Sequence, residues 1–355
     1  MTTSPSPVNR QWILTSRPEG LVDESCFELR TSPVPEPGPG EALVRVVWLA
    51  FDPTQRGWLN DGDNYIDPVP LGEVMRSSGV GQVVASNNPQ LAVGDWVAGM
   101  VGWQDFAIAG DTGLFGLNRV PDGIDPKAML GIFGATGLTA YFGMVDIGRP
   151  REGDTVFVTG AAGATGSIAG QIARLLGCRV IGAAGGPEKC KWAIETAGFD
   201  ACIDYRTEDL EARLRELAPN GLDVVFDGVG GTILDAALAN LAERARVVVV
   251  GGIASGYGPG EPPPGPRNYL QLGIKRARME GFIFLDYLER FPEAFGRLGE
   301  WVGTGRLVYA EDVREGLEQA PAVLRGLFEG RNLGKQLLRI AAENTVLFHF
   351  EVPGG

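Results

Sequence analysis

Short apolar runs without a helical period fill residues 9 to 125. Ala42-Leu-Val-Arg-Val-Val-Trp-Leu49 and Val80-Gly-Gln-Val-Val-Ala85 have strand composition, and the loops between them carry Pro and Gly. Pro33-Val-Pro-Glu-Pro-Gly-Pro-Gly40 predicts a rigid turn, and Val93-Gly-Asp-Trp-Val97 a turn into a further strand. Many short strands of this kind predict a partly open barrel. Around Pro126 the pattern changes. Leu130 to Met144 is apolar and rich in small residues, and beyond it strands and helices alternate. The predicted strands are Thr155–Thr159, Arg179–Ala183, Ala201–Asp204, Asp223–Asp227, Arg246–Val250 and Gly281–Leu285, with helices near 167–177, 187–197, 208–217, 232–241 and 267–277. Six strands in βαβ alternation predict an α/β fold with a doubly wound parallel sheet and a ligand at the C-terminal strand edges. A further helix near 288–302 and a β, α, β stretch over 306–341 follow, the latter expected to return to the first domain. Val346–Val352 is apolar and reads as an added edge strand or a frayed tail. The domains expected are therefore 1–125 with 306–355, β-rich, and 126–305, nucleotide-binding.

The chain is organised around Asp154 to Gly177. Thr155-Val-Phe-Val-Thr159 is a buried-strand composition, and Ile168, Ile172 and Leu175 fall on one helical face that Gly177 can cap. Between them, Gly160-Ala-Ala-Gly163-Ala-Thr-Gly166 offers bare backbone amides at a helix N-terminus. A pyrophosphate needs that arrangement: N–H groups point at it, the helix dipole favours its charge, and no Cβ blocks its approach. From Ala161 the motif is A-x-G-x-x-G, with alanine where a dinucleotide fingerprint has its first glycine; Gly160 and Gly163 can share that turn. The second strand, Val180-Ile-Gly-Ala-Ala-Gly-Gly186, has no acid at its end to hold a ribose 2′-hydroxyl, and Lys189 follows shortly. A 2′-phosphate suits that end better, with Arg206 able to add charge-assisted contacts. Lys189 as simple decoration of a helix start is the competing reading. Gly251–Pro266, dense in Gly and Pro at a strand's C-terminal edge, is a further candidate for function.

Composition narrows the picture. With 31 basic and 44 acidic residues in 355, the net charge is −13, and no long basic run exists, so nucleic acid and anionic membranes are not expected partners. Residues 1–8 lack the pattern of a signal peptide and no apolar span has membrane length. Four scattered cysteines without framework spacing fit the cytoplasm. One histidine, His349, leaves no set for a catalytic zinc, a structural zinc or a histidine relay.

Specific runs carry a resemblance: Asp52-Pro53, Gly137-Leu-Thr-Ala-Tyr-Phe-Gly143, Ala161-Ala-Gly-Ala-Thr-Gly-Ser167, Phe226-Asp-Gly-Val-Gly-Gly231, Ser255-Gly-Tyr257, Arg278-Met-Glu-Gly-Phe282 and Asn332-Leu-Gly-Lys335. Over residues 10 to 341 the chain resembles the zinc-independent medium-chain dehydrogenase/reductases of the prostaglandin reductase/leukotriene dehydrogenase group. That resemblance implies a six-stranded Rossmann domain, a GroES-like partly open barrel, and NADPH-dependent reduction of the C=C bond of α,β-unsaturated ketones or aldehydes. Its cofactor positions map onto Gly163, Ala164, Thr165, Gly166, Gly185, Lys189, Tyr205, Gly251, Gly252, Ile253, Ser255, Tyr257, Phe282, Phe284 and Asn332. Phe282 and Phe284 would flank the nicotinamide. Gly228 stands where the group often has Asn, and Ala254 looks inserted in its loop.

Reducing an enone requires a donor at the developing enolate, and a tyrosine suits it: neutral, donating, and able to pack on apolar substrate. Tyr257 and Tyr65 are the candidates, Tyr269 a third; each has ordinary packing as its competing account. Arg56, Trp58 and Trp103 fit either a substrate mouth or the core. A quinone reductase and a non-catalytic NADPH-binding protein remain open beside the enone reductase. The apolar Gly281–Leu285 strand, expected at the sheet edge, suggests pairing into a homodimer.

Overall fold

The computed structural model describes residues 8–62, 64–110, 116–259 and 264–343. The stretch Val346–Val352, with His349, lies outside them. Two compact units form. One holds the described residues up to Leu130, Val313–Glu329 and those from Gln336 on; the other holds Gly131–Asp312 and Gly330–Lys335. The sequence reading draws the divides at 125/126 and 305/306; here 306–312 and 330–335 group with the nucleotide-type unit.

In the first unit, β1 (Val8–Leu14) pairs antiparallel with β2 (Phe27–Pro33). Then come β3 (Ala42–Phe51), the single turn α1 (Thr54–Gly57), β4 (Ser78–Ser86), β5 (Trp96–Met100), β6 (Phe106–Ala109) and β7 (Asn118–Arg119). β3 is the centre: nine of its ten residues are buried, and β4 and β6 flank it antiparallel. Phe27 and Phe51 pack on the fully buried Trp103 at centroid distances of 5.2 and 5.6 Å. Arg56 is also wholly buried, its guanidinium donating to Gly20 O, Pro18 O and Asn60 Oδ1 at 2.6–2.8 Å. Arg56 and Trp103 are thus core residues, not a mouth; Trp58 is buried too.

The second unit opens with α2 (Ala135–Phe142), which runs into a π-helical turn, Gly143–Gly148. It continues β8 (Thr155–Thr159), α3 (Ala164–Leu175), β9 (Arg179–Ala184), α4 (Pro187–Glu195), β10 (Ala201–Asp204), α5 (Leu210–Leu217), β11 (Leu222–Asp227), α6 (Gly231–Ala239), β12 (Leu241–Val249), α7 (Leu270–Lys275), β13 (Arg278–Gly281) and α8 (Phe291–Gly303). The strands make a parallel sheet in the order β10-β9-β8-β11-β12-β13, so the winding reverses between β8 and β11. In such sheets the ligand crevice opens at that reversal, beyond the carboxyl ends of the strands. The last elements are β14 (Glu311–Glu315), α9 (Ala320–Phe328) and β15 (Lys335–Arg339), and the first unit's larger sheet runs β14-β15-β3-β4-β5-β7 with β6 on β3.

One strand expectation is corrected. The sixth strand ends at Gly281, where the sequence reading starts it. The apolar run beyond it packs instead: Phe282 lies against Gly143 and Phe226, and Phe284 stacks on Phe291 at 6.0 Å. The edge strand itself is charged, with Arg278 and Glu280 paired at 3.4 Å.

Candidate functional site

β8 and α3 meet in a turn of glycine and alanine, Gly160 to Gly163. Gly160 takes φ +60°, and Gly163 is the N-cap of α3 with no side chain capping the helix. A Cβ on Gly166 would lie 2.4 Å from Gly160 O, so only glycine fits that first helical turn. Ile168 and Ile172 bury the helix face, and Phe199 packs directly on Gly170. The first-turn residues 163–165 stay half-exposed and no acid lies among them. Amides of Ala164, Thr165 and Gly166, at the positive end of α3, are therefore unspent on a side-chain cap. The turn glycine that the motif lacks at Ala161 is supplied by Gly160.

Opposite the turn, β11 ends in Asp227, which is 1% exposed. Thr159 Oγ1 donates to its carboxylate at 2.9 Å, and the amides of Val229 and Gly230 donate at 3.1 Å; Gly228 N donates back to Thr159 Oγ1 at 2.9 Å. Burial pushes the Asp227 carboxyl above its usual range, and the amide of Gly230 and the Thr159 hydroxyl pull it back. This carboxylate fixes the floor of the crevice. The residue-level reading did not single it out, although an Asp at a strand end before Gly-x-Gly-Gly is a recognisable turn former.

At the end of β9, Gly185 lies under two side chains: a Cβ there would come 2.7 Å from the Tyr205 hydroxyl and 2.9 Å from Arg206 Nε. Lys189, on the first turn of α4, is half-buried and donates from Nζ to Gly330 O at 2.8 Å. Burial holds its ammonium below the usual lysine range, Arg206 lowers it further, and Asp312 opposes them. The nearby acid Asp204 accepts from Gly186 N, Arg206 N and Thr207 Oγ1 at 2.8–3.1 Å. It braces the Tyr205–Arg206 turn, and those bonds keep its carboxyl below the usual range, led by the Gly186 amide. Half-buried Lys189 thus lies in the field of the exposed Arg206, an arrangement that an anion relieves.

Past β12, Gly251 and Gly252 lead into a 3-10 turn, Ile253–Ser255. Tyr257, in the left-handed region at φ +51°, accepts from Gly252 N at 2.7 Å, and its own amide donates to Ser255 Oγ at 3.2 Å. Phe282 and Phe284 are half-buried in the aromatic cluster around Tyr287 and Phe291. Asn332 sits in the returning segment and donates to Gly334 O at 2.8 Å. Gly334 N donates to Ala162 O at 2.8 Å, and Gly334 bridges to Gly163, which ties that segment to the glycine turn. The structure therefore brings together Gly163–Gly166 with the 332–334 segment, and Gly185, Lys189, Tyr205 and Arg206 with Gly330. In the other unit, Tyr65 lies 49% exposed, its hydroxyl 2.6 Å from Thr54 Oγ1 and 3.3 Å from Trp58 Nε1.

Two family models match the chain, one described as the N-terminal domain of oxidoreductase over residues 10–117, the other as zinc-binding dehydrogenase over 164–300. The NADPH-dependent curcumin reductase of Escherichia coli (strain K12) is 42% identical over 341 residues, covering 95% of this chain and 98% of that protein. The chain belongs to the zinc-independent double-bond reductases of the medium-chain dehydrogenase/reductase superfamily. The NADP(+)-dependent 2-alkenal reductase of Nicotiana tabacum is 38% identical, with 94% and 98% of the two chains covered. Among solved structures, CurA in complex with NADPH from Vibrio vulnificus aligns with TM-score 0.87 and 43% identity over 94% of this chain and 99% of that one. Among the described residues of this reductase, no three His, Cys, Asp or Glu side chains converge in the manner of a metal site.

Proposed function

We propose that this reductase reduces the C=C bond of α,β-unsaturated ketones and aldehydes with NADPH. The observation that carries the cofactor is the cationic pair Lys189–Arg206 at the β9 end, one strand from an uncapped helix N-terminus. A pyrophosphate fits the amides of 164–166 and a 2′-phosphate fits the pair, whereas Asp204, the acid at the end of β10, is spent on backbone amides. The reaction class follows from relatives named for curcumin and 2-alkenals. When bound, NADPH supplies the hydride that the β-carbon accepts.

The residues of this chain position and protonate. Gly163–Gly166, Lys189, Arg206 and Tyr205 hold the phosphates; Gly251, Gly252, Ile253 and Ser255 line the strand edge next to the crevice; Phe282, Phe284 and Asn332 serve the ring end. Tyr257 donates to the oxygen on which negative charge gathers, because a phenol that accepts an amide hydrogen bond is polarised toward donation. Its left-handed backbone costs about 1–3 kcal/mol, strain of the kind that functional loops retain. Tyr65, paired with Thr54, is the alternative donor. Following NADPH absorbance with 2-alkenals, enones and quinones tests the reading: 2-alkenal and enone turnover is expected, quinone turnover alone would replace it with a quinone reductase, and no turnover despite binding would leave a non-catalytic protein.

The homodimer is kept in corrected form. Tyr269, Leu270 and Ile274 of α7 and its N-cap are 58–65% exposed, and β13 is an edge strand of the sheet; a second copy would cover both. A monomer mass by light scattering at micromolar concentration would reject it. A cytoplasmic location is part of this proposal, and four free cysteines support it; among the described residues no helix is long and apolar enough to cross a membrane.

A further inference from the structure

The segment Gly330–Lys335 is fastened to both phosphate ends of the candidate site. At one end Lys189 Nζ donates to Gly330 O at 2.8 Å, and a Cβ on Gly330 would lie 3.4 Å from Arg206 Nη2. At the other, Gly334 N donates to Ala162 O and Lys335 N to Ala310 O, both at 2.8 Å. Between them Leu333 packs on Ala162, Ala184 and Cys190, and Asn332 folds back onto Gly334 O. Gly334 is held at φ +70° with no space for a Cβ, which would lie 2.1 Å from Ala310 O. The segment is a clasp across the ends of β8 and β9.

We infer that Lys189 is a positioning residue as well as a phosphate ligand: its ammonium holds the clasp shut, so that reading the 2′-phosphate and fixing Asn332 are one event. An ammonium has three donors, and the bond to Gly330 O uses one. Burial and Arg206 both work against its charge, and Asp312 opposes them. A dianion between the two cations offsets that burial and repulsion and holds the ammonium in place, where it reaches Gly330 O. The clasp is thereby tightest when the phosphorylated carrier is present, and discrimination against the unphosphorylated one reaches turnover as well as affinity. The identity of the anion rests on the NADPH reading above; the tie to Gly330 does not.

The test is amide hydrogen exchange on the cofactor-free full chain, with Lys189→Met (similar length, no donor) and Lys189→Arg (donor kept), followed by steady-state kinetics with NADH. Losing a hydrogen bond from a charged donor is expected to speed exchange at Gly334 and Lys335 about tenfold in the Met variant, with Arg restoring it. With NADH, which carries no 2′-phosphate, kcat is expected to fall about threefold or more in the Met variant, a loss that phosphate contact cannot explain. Wild-type exchange and wild-type NADH kcat in the Met variant would overturn the inference. A wild-type protein that binds NADH as tightly as NADPH would sink the cofactor reading alone, since the exchange measurement contains no cofactor.

Discussion

Two glycine-rich loops leave the same edge of the sheet, and they are built differently. The turn after β8 is fixed by the backbone itself: Gly160 bends it at φ +60°, and Gly166 packs so closely on Gly160 O that a Cβ would lie 2.4 Å away. The loop after β12 is fixed by a side chain. The Tyr257 hydroxyl accepts from Gly252 N and stands 2.9 Å from where a Cβ of Gly251 would be, while the 3-10 turn between them buries nothing. A loop held by packing loses its shape and its stability together; a loop that keeps its backbone bonds, Ile253 N to Gly228 O at 3.3 Å and Ala254 N to Val229 O at 3.0 Å, can lose one hydroxyl with the fold intact.

Gly166→Ala should therefore be the most damaging change, costing about 3 kcal/mol because the obstruction is a backbone carbonyl that cannot rotate aside. Thermal melts check it, and a melting temperature close to wild type would mean that the turn is not rigid as described. Asp227→Ala comes next, at about 2 kcal/mol, since it strips the acceptor from Thr159, Val229 and Gly230 in a buried floor. Tyr257→Phe sharpens the contrast from the other loop. It should leave the melting temperature nearly unchanged while kcat with a 2-alkenal falls about tenfold or more; a large loss of stability with unaltered kcat would make Tyr257 a structural pin only. Arg206→Ala should weaken NADPH about fivefold and NADH hardly at all, read by fluorescence titration.

The smallest effect at neutral pH lies away from both loops. Burial, helped by the bond to Glu293, pushes the Tyr141 phenol up to about 12. Because its folded value lies above the ordinary value of 10, the stability linked to it is complete below pH 10 and is lost as pH rises from 10 toward 12. Denaturant melts of Tyr141→Phe should lack that alkaline decline while showing little change in pH dependence near neutrality.

The sheet is legible because its strands are short runs between turn formers, and four of the six lie where Val, Ile and Phe concentrate. The sixth was misplaced because apolarity alone does not distinguish a strand from an aromatic cluster: Phe282 and Phe284 are used against Gly143, Phe226 and Phe291, and the strand uses Arg278 to Gly281. At the candidate site, local chemistry was readable and long-range chemistry was not. Gly163 and Lys189 announce themselves by residue type at a strand end, whereas Gly185 and Tyr205 enter only through the family resemblance. The tie of Lys189 to Gly330, and of Gly334 to Ala162, joins residues far apart in sequence that no local pattern connects.

The central claim is that bare amides at α3 and the cations at the β9 end together grip a carrier with a 2′-phosphate. Calorimetric titration of the wild-type protein with NADPH and with NADH tests it most directly. Two charge-assisted contacts to the extra phosphate predict that NADPH binds about thirtyfold more tightly or better; equal affinities, or a preference for NADH, would contradict it.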